Sequence, residues 1–60
     1  KFPEWQAPAL YQAAMCHEAL NEWPQAQKTY QDYLKRFPEH ELVPQAKERL
    51  KAVTARIGKN

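Results

Sequence analysis

The stretch EALNEWPQAQKTYQDYLKRFPEHE, residues 18–41, decides how this chain folds. It contains two breaks, NEWP at residues 21–24 and FPEH at residues 37–40, and the run between them has no further Gly or Pro. Asn tolerates the left-handed backbone conformation that ends a helix, and Pro suits the first turn of the next helix. The first break is therefore short enough to fold two helices back on each other, whereas FPEHEL is a longer connection to a third helix.

Apolar residues at helical spacing predict three helices. The first covers residues 8–20 and carries two apolar stripes; the second covers residues 24–36 and ends before Pro38, which forbids continuation. The third covers residues 43–57, has one apolar stripe, and is followed by Gly58, which is placed to end it. The two stripes of the first helix are Leu10, Ala13, Ala14, His17 and Leu20, and then Tyr11, Met15 and Ala19. We expect an all-α fold, an antiparallel helical hairpin plus a third helix.

Size and composition limit the kinds of partner and cross-link that we expect for this chain. The chain has 60 residues, one cysteine (Cys16) and a formal net charge of +2. A lone cysteine allows no intrachain disulfide, and a domain this small buries only about 60% of its unfolded surface. The longest basic run is the pair Lys35 and Arg36, so we expect no nucleic-acid partner, and no apolar stretch is long enough for direct membrane insertion. Because the chain begins at Lys1 rather than Met, we interpret it as a fragment or a processed product.

A short sequence motif occurs twice in the chain. KFPEWQAPALYQAA begins at position 1 and RFPEHELVPQAKER begins at position 36, so a basic residue followed by Phe-Pro-Glu recurs after 35 residues. Pro8 and Pro44 are likewise 36 residues apart. Chance could produce two such loops, but this period is also typical of a repeat array.

Residues 7–41 resemble a tetratricopeptide repeat, whose signature is W-x2-L-G-x2-Y, then A-x3-F, then P. The spacing of Ala26 and Tyr30 fits this pattern, and LNEWPQA is similar to the family's turn. Ala14 replaces the signature Gly but still provides a small residue where two helices approach, and Asn21 replaces the turn Gly. The signature falls on Leu10, Ala13, Ala14, His17, Ala26, Tyr30 and Pro38, with Leu10 in place of Trp and His17 in place of Tyr.

The resemblance implies a segment of a right-handed solenoid. Residues 1–6 would be the tail of a preceding repeat, residues 7–41 one helix-turn-helix repeat, and residues 42–58 a C-terminal capping or partial-repeat helix. The single apolar stripe of the third helix favours a cap, since a terminal helix needs a polar outer face. The connection FPEHELVP also resembles repeat proteins of the bacterial cell envelope, which implies a periplasmic or envelope location.

Two groups of side chains are candidates for catalysis or metal binding. Cys16 and His17 are adjacent, so on a helix they project about 100° apart and cannot easily share a ligand or a proton. We expect His17 to pack against the second helix and Cys16 to face a preceding repeat. Residues 39–41, Glu-His-Glu, have no further ligand group nearby, which predicts a solvated loop rather than a metal site. The sequence has no phosphate-binding loop or catalytic constellation, so we expect no cofactor and no enzymatic activity.

The resemblance implies a partner-binding surface. In tetratricopeptide arrays the first helix of each repeat lines the concave groove, and helical periodicity puts Tyr11 and Met15 on a face separate from the first stripe. We therefore expect these two side chains to be free of the second helix and to bind a peptide or helix of another protein. The predicted partner-binding residues are Tyr11, Met15, Glu18, Lys47 and Lys51. They do not form the Lys and Asn clamp with which some members of the family hold acidic C-terminal tails.

Two alternatives remain at the level of sequence. Tyr11 and Met15 could instead pack under a neighbouring helix. The segment could also serve to cap an array and to associate with copies of itself as a homo-oligomer. If the six residues before the repeat cannot supply a missing helix, the face that carries Ala9, Cys16 and Leu20 should be uncovered.

Overall fold

The computed structural model describes residues 3–58, and this part of the chain consists of three helices without a strand. The helices are α1 (Gln6–Ala19), α2 (Trp23–Arg36) and α3 (Val43–Gly58). The all-α prediction is confirmed; the end of α2 and the start of α3 fall where predicted, and the other helix ends differ by one or two residues. Gly58 is the last residue of α3 rather than a stop beyond it. Lys1 and Phe2, with which the first copy of the repeated motif begins, lie outside the described residues.

The turn between α1 and α2 has the predicted left-handed residue. Asn21 has a φ of 62°, which the short polar side chain of Asn tolerates better than most residues do. The N–H of Asn21 donates to the Glu18 carbonyl at 3.0 Å, and the N–H of Glu22 donates to the His17 carbonyl at 2.8 Å. These bonds satisfy carbonyls at the end of α1 that have no partner within the helix. Pro24 comes next, in the first turn of α2, as predicted.

Helix α2 lies in the middle of the molecule, with α1 and α3 packed against it. Tyr33, late in α2, contacts the ring of Tyr11 in the first half of α1, while Glu22 pairs with His17 near the turn. This pattern makes the two helices antiparallel. Gln27 in the first half of α2 bonds Thr54 in the second half of α3 at 3.1 Å, so α3 is antiparallel to α2 and runs in the direction of α1.

The core combines small residues with two large ones. Alanines let the helix backbones approach closely, and the rings of Tyr30 and Tyr33 fill the space that the alanines leave. Leu10 and Leu50 are partly buried and pack against this core. The core residues are Ala7, Ala14, Ala26, Tyr30, Tyr33, Val43, Ala46 and Val53.

The buried face of α1 is rotated from the predicted one. Ala13 and Leu20 were expected on the stripe facing α2, but both are exposed. Ala7 is buried, and Tyr11 packs against the core. The reason is that α1 has apolar residues on two faces, and the face that carries the large ring of Tyr11 buries more surface against α2 than the face that carries Ala13.

The connection between α2 and α3 is tied down by His40. The Leu42 N–H donates to His40 Nδ1 at 3.3 Å, so this nitrogen is an acceptor, and the Tyr33 hydroxyl donates to it at 2.6 Å. The two rings meet edge to face with centroids 5.6 Å apart. The prediction of a solvated loop is therefore wrong for His40, although Glu39 and Glu41 are exposed. Burial of Tyr33 left its hydroxyl in need of a partner, and His40 provides one.

The tight approach of α1 and α2 can be tested at Ala14. We expect Ala14→Leu to overpack the core and to lower the free energy of unfolding by about 1–3 kcal/mol, measured by urea denaturation. The matched control is Ala13→Leu, the same change at the exposed neighbouring position, which should alter stability by no more than about 0.5 kcal/mol. Equal midpoints for the two variants would contradict the assigned packing.

Candidate partner-binding surface

An ion pair connects α1 to α3. Arg49 Nε on α3 lies 3.2 Å from Glu18 Oε1 on α1. Both side chains are partly exposed, at 41% and 21% respectively, so water weakens the pair but does not remove it. Glu18 was predicted to face a partner and is instead engaged within the chain. Sequence reasoning missed Arg49, because its partner lies 31 residues away and no local pattern links the two.

The hydroxyl of Tyr30 completes this connection from α2. It donates to Glu18 Oε1 at 2.8 Å and accepts a hydrogen bond from Arg49 Nε at 3.0 Å, so one group of atoms ties all three helices together. Desolvation of the buried phenol, and then the hydrogen bond to Glu18, raise the pKa of Tyr30 to about 12. The hydrogen bond to Tyr30 raises the pKa of Arg49, so this side chain keeps its charge. We name Glu18, Tyr30 and Arg49 the three-helix network.

Tyr11 does not lie free of α2 as expected. Its ring is half-buried and meets Tyr30 with centroids 6.1 Å apart and Tyr33 with centroids 6.0 Å apart. Edge-to-face and tilted contacts at this distance are favourable because the positive ring edge meets a negative ring face. Tyr11 is thus partly a core residue, the alternative that the sequence had left open, and only part of it can contact a partner.

The other predicted site residues remain accessible. Met15 is 37% exposed, and Lys47 and Lys51 are exposed on α3. Each lysine is two residues from Arg49, which corresponds to about 200° around a helix. Since Arg49 points towards α1, the lysines lie on the flank of α3 that is turned away from α1. The cation of α3 that pairs with Glu18 is Arg49. Lys47 and Lys51 lie on the opposite side of α3.

A second face of α1 is uncovered. Trp5 and Leu20 are exposed to 68% and 67%, and Ala9 and Cys16 between them are exposed as well. These residues lie opposite the buried Ala7 and Ala14, which explains why α1 is apolar on two sides. A helix with two apolar faces usually contacts more than one neighbour.

The side chains considered for catalysis or metal binding are engaged otherwise. His17 Nδ1 lies 2.6 Å from Glu22 Oε1, so the half-buried imidazole pairs across the turn. Within residues 3–58, no three side chains of His, Cys, Asp or Glu come together in a way that could hold a metal ion. In the same part of the chain, no helix combines the length and the apolar character needed to cross a bilayer.

Comparison with known proteins identifies the repeat. A family model described as "Tetratricopeptide repeat" matches residues 8–40, which is more than half of the chain. The match covers most of α1, the turn, α2 and the start of the second connection. Neither the curated proteins nor the solved structures gave a significant match.

The three-helix network should make stability depend on alkaline pH. The folded chain holds the Tyr30 proton up to a pKa of about 12, whereas the unfolded chain releases it near 10.0. Between these values the unfolded state binds fewer protons, so stability is intact below pH 10 and falls as pH rises towards 12. The expected result is a decline of the thermal midpoint over this range.

The matched variant is Tyr30→Phe, which keeps the ring and removes the titrating hydroxyl. It should flatten the part of the alkaline decline that Tyr30 causes, while Tyr33, whose pKa burial also raises, continues to contribute. Identical alkaline profiles for wild type and variant would contradict the assignment.

Proposed function

Because the chain belongs to the tetratricopeptide repeat family, whose members typically act as non-enzymatic scaffolds, we propose that it is a protein–protein interaction module that binds a partner segment across α1 and α3. The observation that carries this proposal is the exposure of Met15 on α1, beside the ion pair that joins α1 to α3; Lys47 and Lys51, on the flank of α3 turned away from α1, would be reached by a segment that continues over α3. A flexible thioether suits an adaptable contact surface, and the exposed rim of Tyr11 adds an aromatic edge beside it.

The charges of this surface favour a partner segment with an apolar anchor and acidic residues. Glu18 and Arg49 neutralise each other, whereas Lys47 and Lys51 form no ion pair within residues 3–58. The charge left for a partner is therefore positive. Exposed lysines of this kind mainly accelerate association and suppress wrong partners, and the apolar contact supplies most of the affinity.

We further propose that residues 7–41 form one repeat and residues 42–58 a cap. Support for the cap comes from the outer side of α3, where Gln45 and Glu48 are exposed and polar. A polar outer face is what a terminal helix needs in water. The location in a bacterial cell envelope stays a prediction from the FPEHELVP resemblance.

Self-association is the second candidate function. The uncovered face of α1, defined by Trp5, Ala9, Cys16 and Leu20, supports it, because two large apolar side chains are exposed about four turns apart on one helix face. Burial of such a face against a second chain would add hydrophobic stabilisation that a chain this small needs.

Truncation of Met15 tests the partner-binding proposal. Peptides selected from a random library for binding to the chain should carry an apolar anchor with acidic neighbours, and Met15→Ala should weaken their binding by roughly 1–2 kcal/mol at unchanged stability. Met15 is a cleaner probe than Tyr11, because Tyr11→Ala would also remove two aromatic contacts from the core. Binding that is insensitive to Met15→Ala would place the peptide elsewhere.

Charge reversal tests the electrostatic part separately. Lys47→Glu combined with Lys51→Glu should slow association of the selected peptides and reduce its salt dependence, measured by stopped-flow mixing at two salt concentrations. The matched control is Lys28→Glu with Lys35→Glu, which changes the net charge equally on exposed positions of α2. Equal effects of the two double variants would show that only the net charge matters.

The self-association candidate is tested at Leu20. Leu20→Lys should shift the chain towards monomer in sedimentation equilibrium, whereas Ala52→Lys, which adds the same charge at an exposed position of α3, should not. A wild-type chain that stays monomeric at millimolar concentration would remove this candidate.

A further inference from the structure

A cleft lies between the two segments that carry the repeated Pro-Glu motif. It has a volume of about 790 Å³ and is enclosed by the segment that starts α1 and by the connection between α2 and α3. The Pro-Glu pair at residues 3–4 and the Pro-Glu pair at residues 38–39 thus belong to two segments that stand on either side of one depression. Its lining residues are Glu4, Trp5, Pro8, Phe37, Pro38, Glu39, His40 and Glu41.

The cleft is lined by aromatic and proline side chains, of which His40 is held by hydrogen bonds. Trp5, Pro8 and Pro38 have stiff side chains, so little conformational entropy is lost when a ligand contacts them. His40 is held by the Tyr33 hydroxyl and the Leu42 N–H, which orient its ring before any ligand arrives. A tryptophan that is 68% exposed beside such a wall offers an open ring face. A site that is formed in advance spends less binding energy on ordering itself.

The charge of the cleft is opposite to that of the whole chain. Three carboxylates, of Glu4, Glu39 and Glu41, border it, and all three are exposed. Within residues 3–58 none of them forms an ion pair. The chain as a whole has a formal charge of +2. An unpaired local charge of this sign, on a basic molecule, complements a cationic ligand.

We infer that this cleft binds a basic, extended segment of a partner protein. Lys or Arg side chains would pair with the carboxylates and lie over the ring face of Trp5, where a cation is attracted by the ring's quadrupole. A single metal ion fits less well, because no three ligating side chains in the described part of the chain converge on one point. Carboxylates that are spread along a cleft instead match several cations on one chain. Nucleic acid is disfavoured since its phosphates would be repelled.

The cleft therefore differs from the surface of α1 and α3 in the ligand that it selects. There Lys47 and Lys51 favour acidic residues, whereas here Glu4, Glu39 and Glu41 favour basic ones. The two surfaces use different residues, so this inference does not depend on the proposed binding across α1 and α3. Trp5 also belongs to the uncovered face of α1, and sedimentation of the free chain tests self-association separately.

The experiment titrates the 60-residue chain with three labelled peptides of equal length, and fluorescence anisotropy reports their binding. The peptides alternate serine with arginine, with glutamate or with glutamine. The arginine peptide should bind best, and its affinity should fall with added salt, since the contacts are between exposed charges. Glu39→Gln and Glu41→Gln should each lower its affinity about two- to fivefold, as should Trp5→Ala.

A matched control separates the cleft from general effects. Glu48→Gln removes the same charge from an exposed position on α3. This change should leave binding of the arginine peptide unaltered. Circular dichroism of each variant checks that the helices persist.

Three results would overturn the inference. The first is an arginine peptide that binds no better than the glutamine peptide. The second is equal loss of affinity in Glu48→Gln and Glu39→Gln, which would indicate attraction by net charge alone. The third is self-association of the free chain that the cleft substitutions abolish, which would assign the cleft to a second copy. Loss of binding in Lys47→Glu with Lys51→Glu would concern the other surface only.

Discussion

The structure depends on one constraint, namely that a buried tyrosine hydroxyl needs partners. Tyr30 is fully buried on the middle helix, and an unsatisfied hydroxyl at that position would cost about 1–3 kcal/mol. Glu18 and Arg49 satisfy it, and they come from the two other helices. Because α1 and α3 contact each other little, this shared group is what links their positions directly. The partial exposure of the ion pair lets water solvate the charges without separating them.

The same constraint acts again one turn further along α2. Tyr33 is also buried, and its hydroxyl is satisfied by His40 in the second connection. The two tyrosines thus anchor the part of the chain after α2, Tyr30 through α3 and Tyr33 through the loop that leads to it. The anchored loop then forms one wall of the acidic cleft. A requirement of the core, to satisfy a hydroxyl, in this way orients His40 in the wall of the cleft.

The buried alanines explain why large apolar side chains remain exposed on this chain. Ala7, Ala14, Ala26 and Ala46 are fully buried and let the helices approach closely, so the core is thin and its volume comes from two rings. The larger apolar residues Trp5 and Leu20 are consequently not needed inside. They remain exposed on the outer face of α1.

Local sequence rules determined the helices and the first turn. Pro24, Asn21 and Pro38 act through backbone geometry that depends on a few neighbouring residues, so their effects could be predicted, as could the repeat itself. The exposure of Met15, Lys47 and Lys51, three of the five predicted site residues, was also predictable, because it follows from helical spacing. What the sequence alone did not decide was which of the two apolar faces of α1 would be buried.

Only the tertiary structure made that choice. The rings of Tyr30 and Tyr33 draw Tyr11 into the core and leave Leu20 outside, and this preference arises from packing across helices that no local period records. The pairing of Glu18 with Arg49 and of Tyr33 with His40 could not be predicted from the sequence for the same reason. Hydrogen-bond partners of buried groups are set by the distances between folded elements, and those distances exist only once the helices have packed.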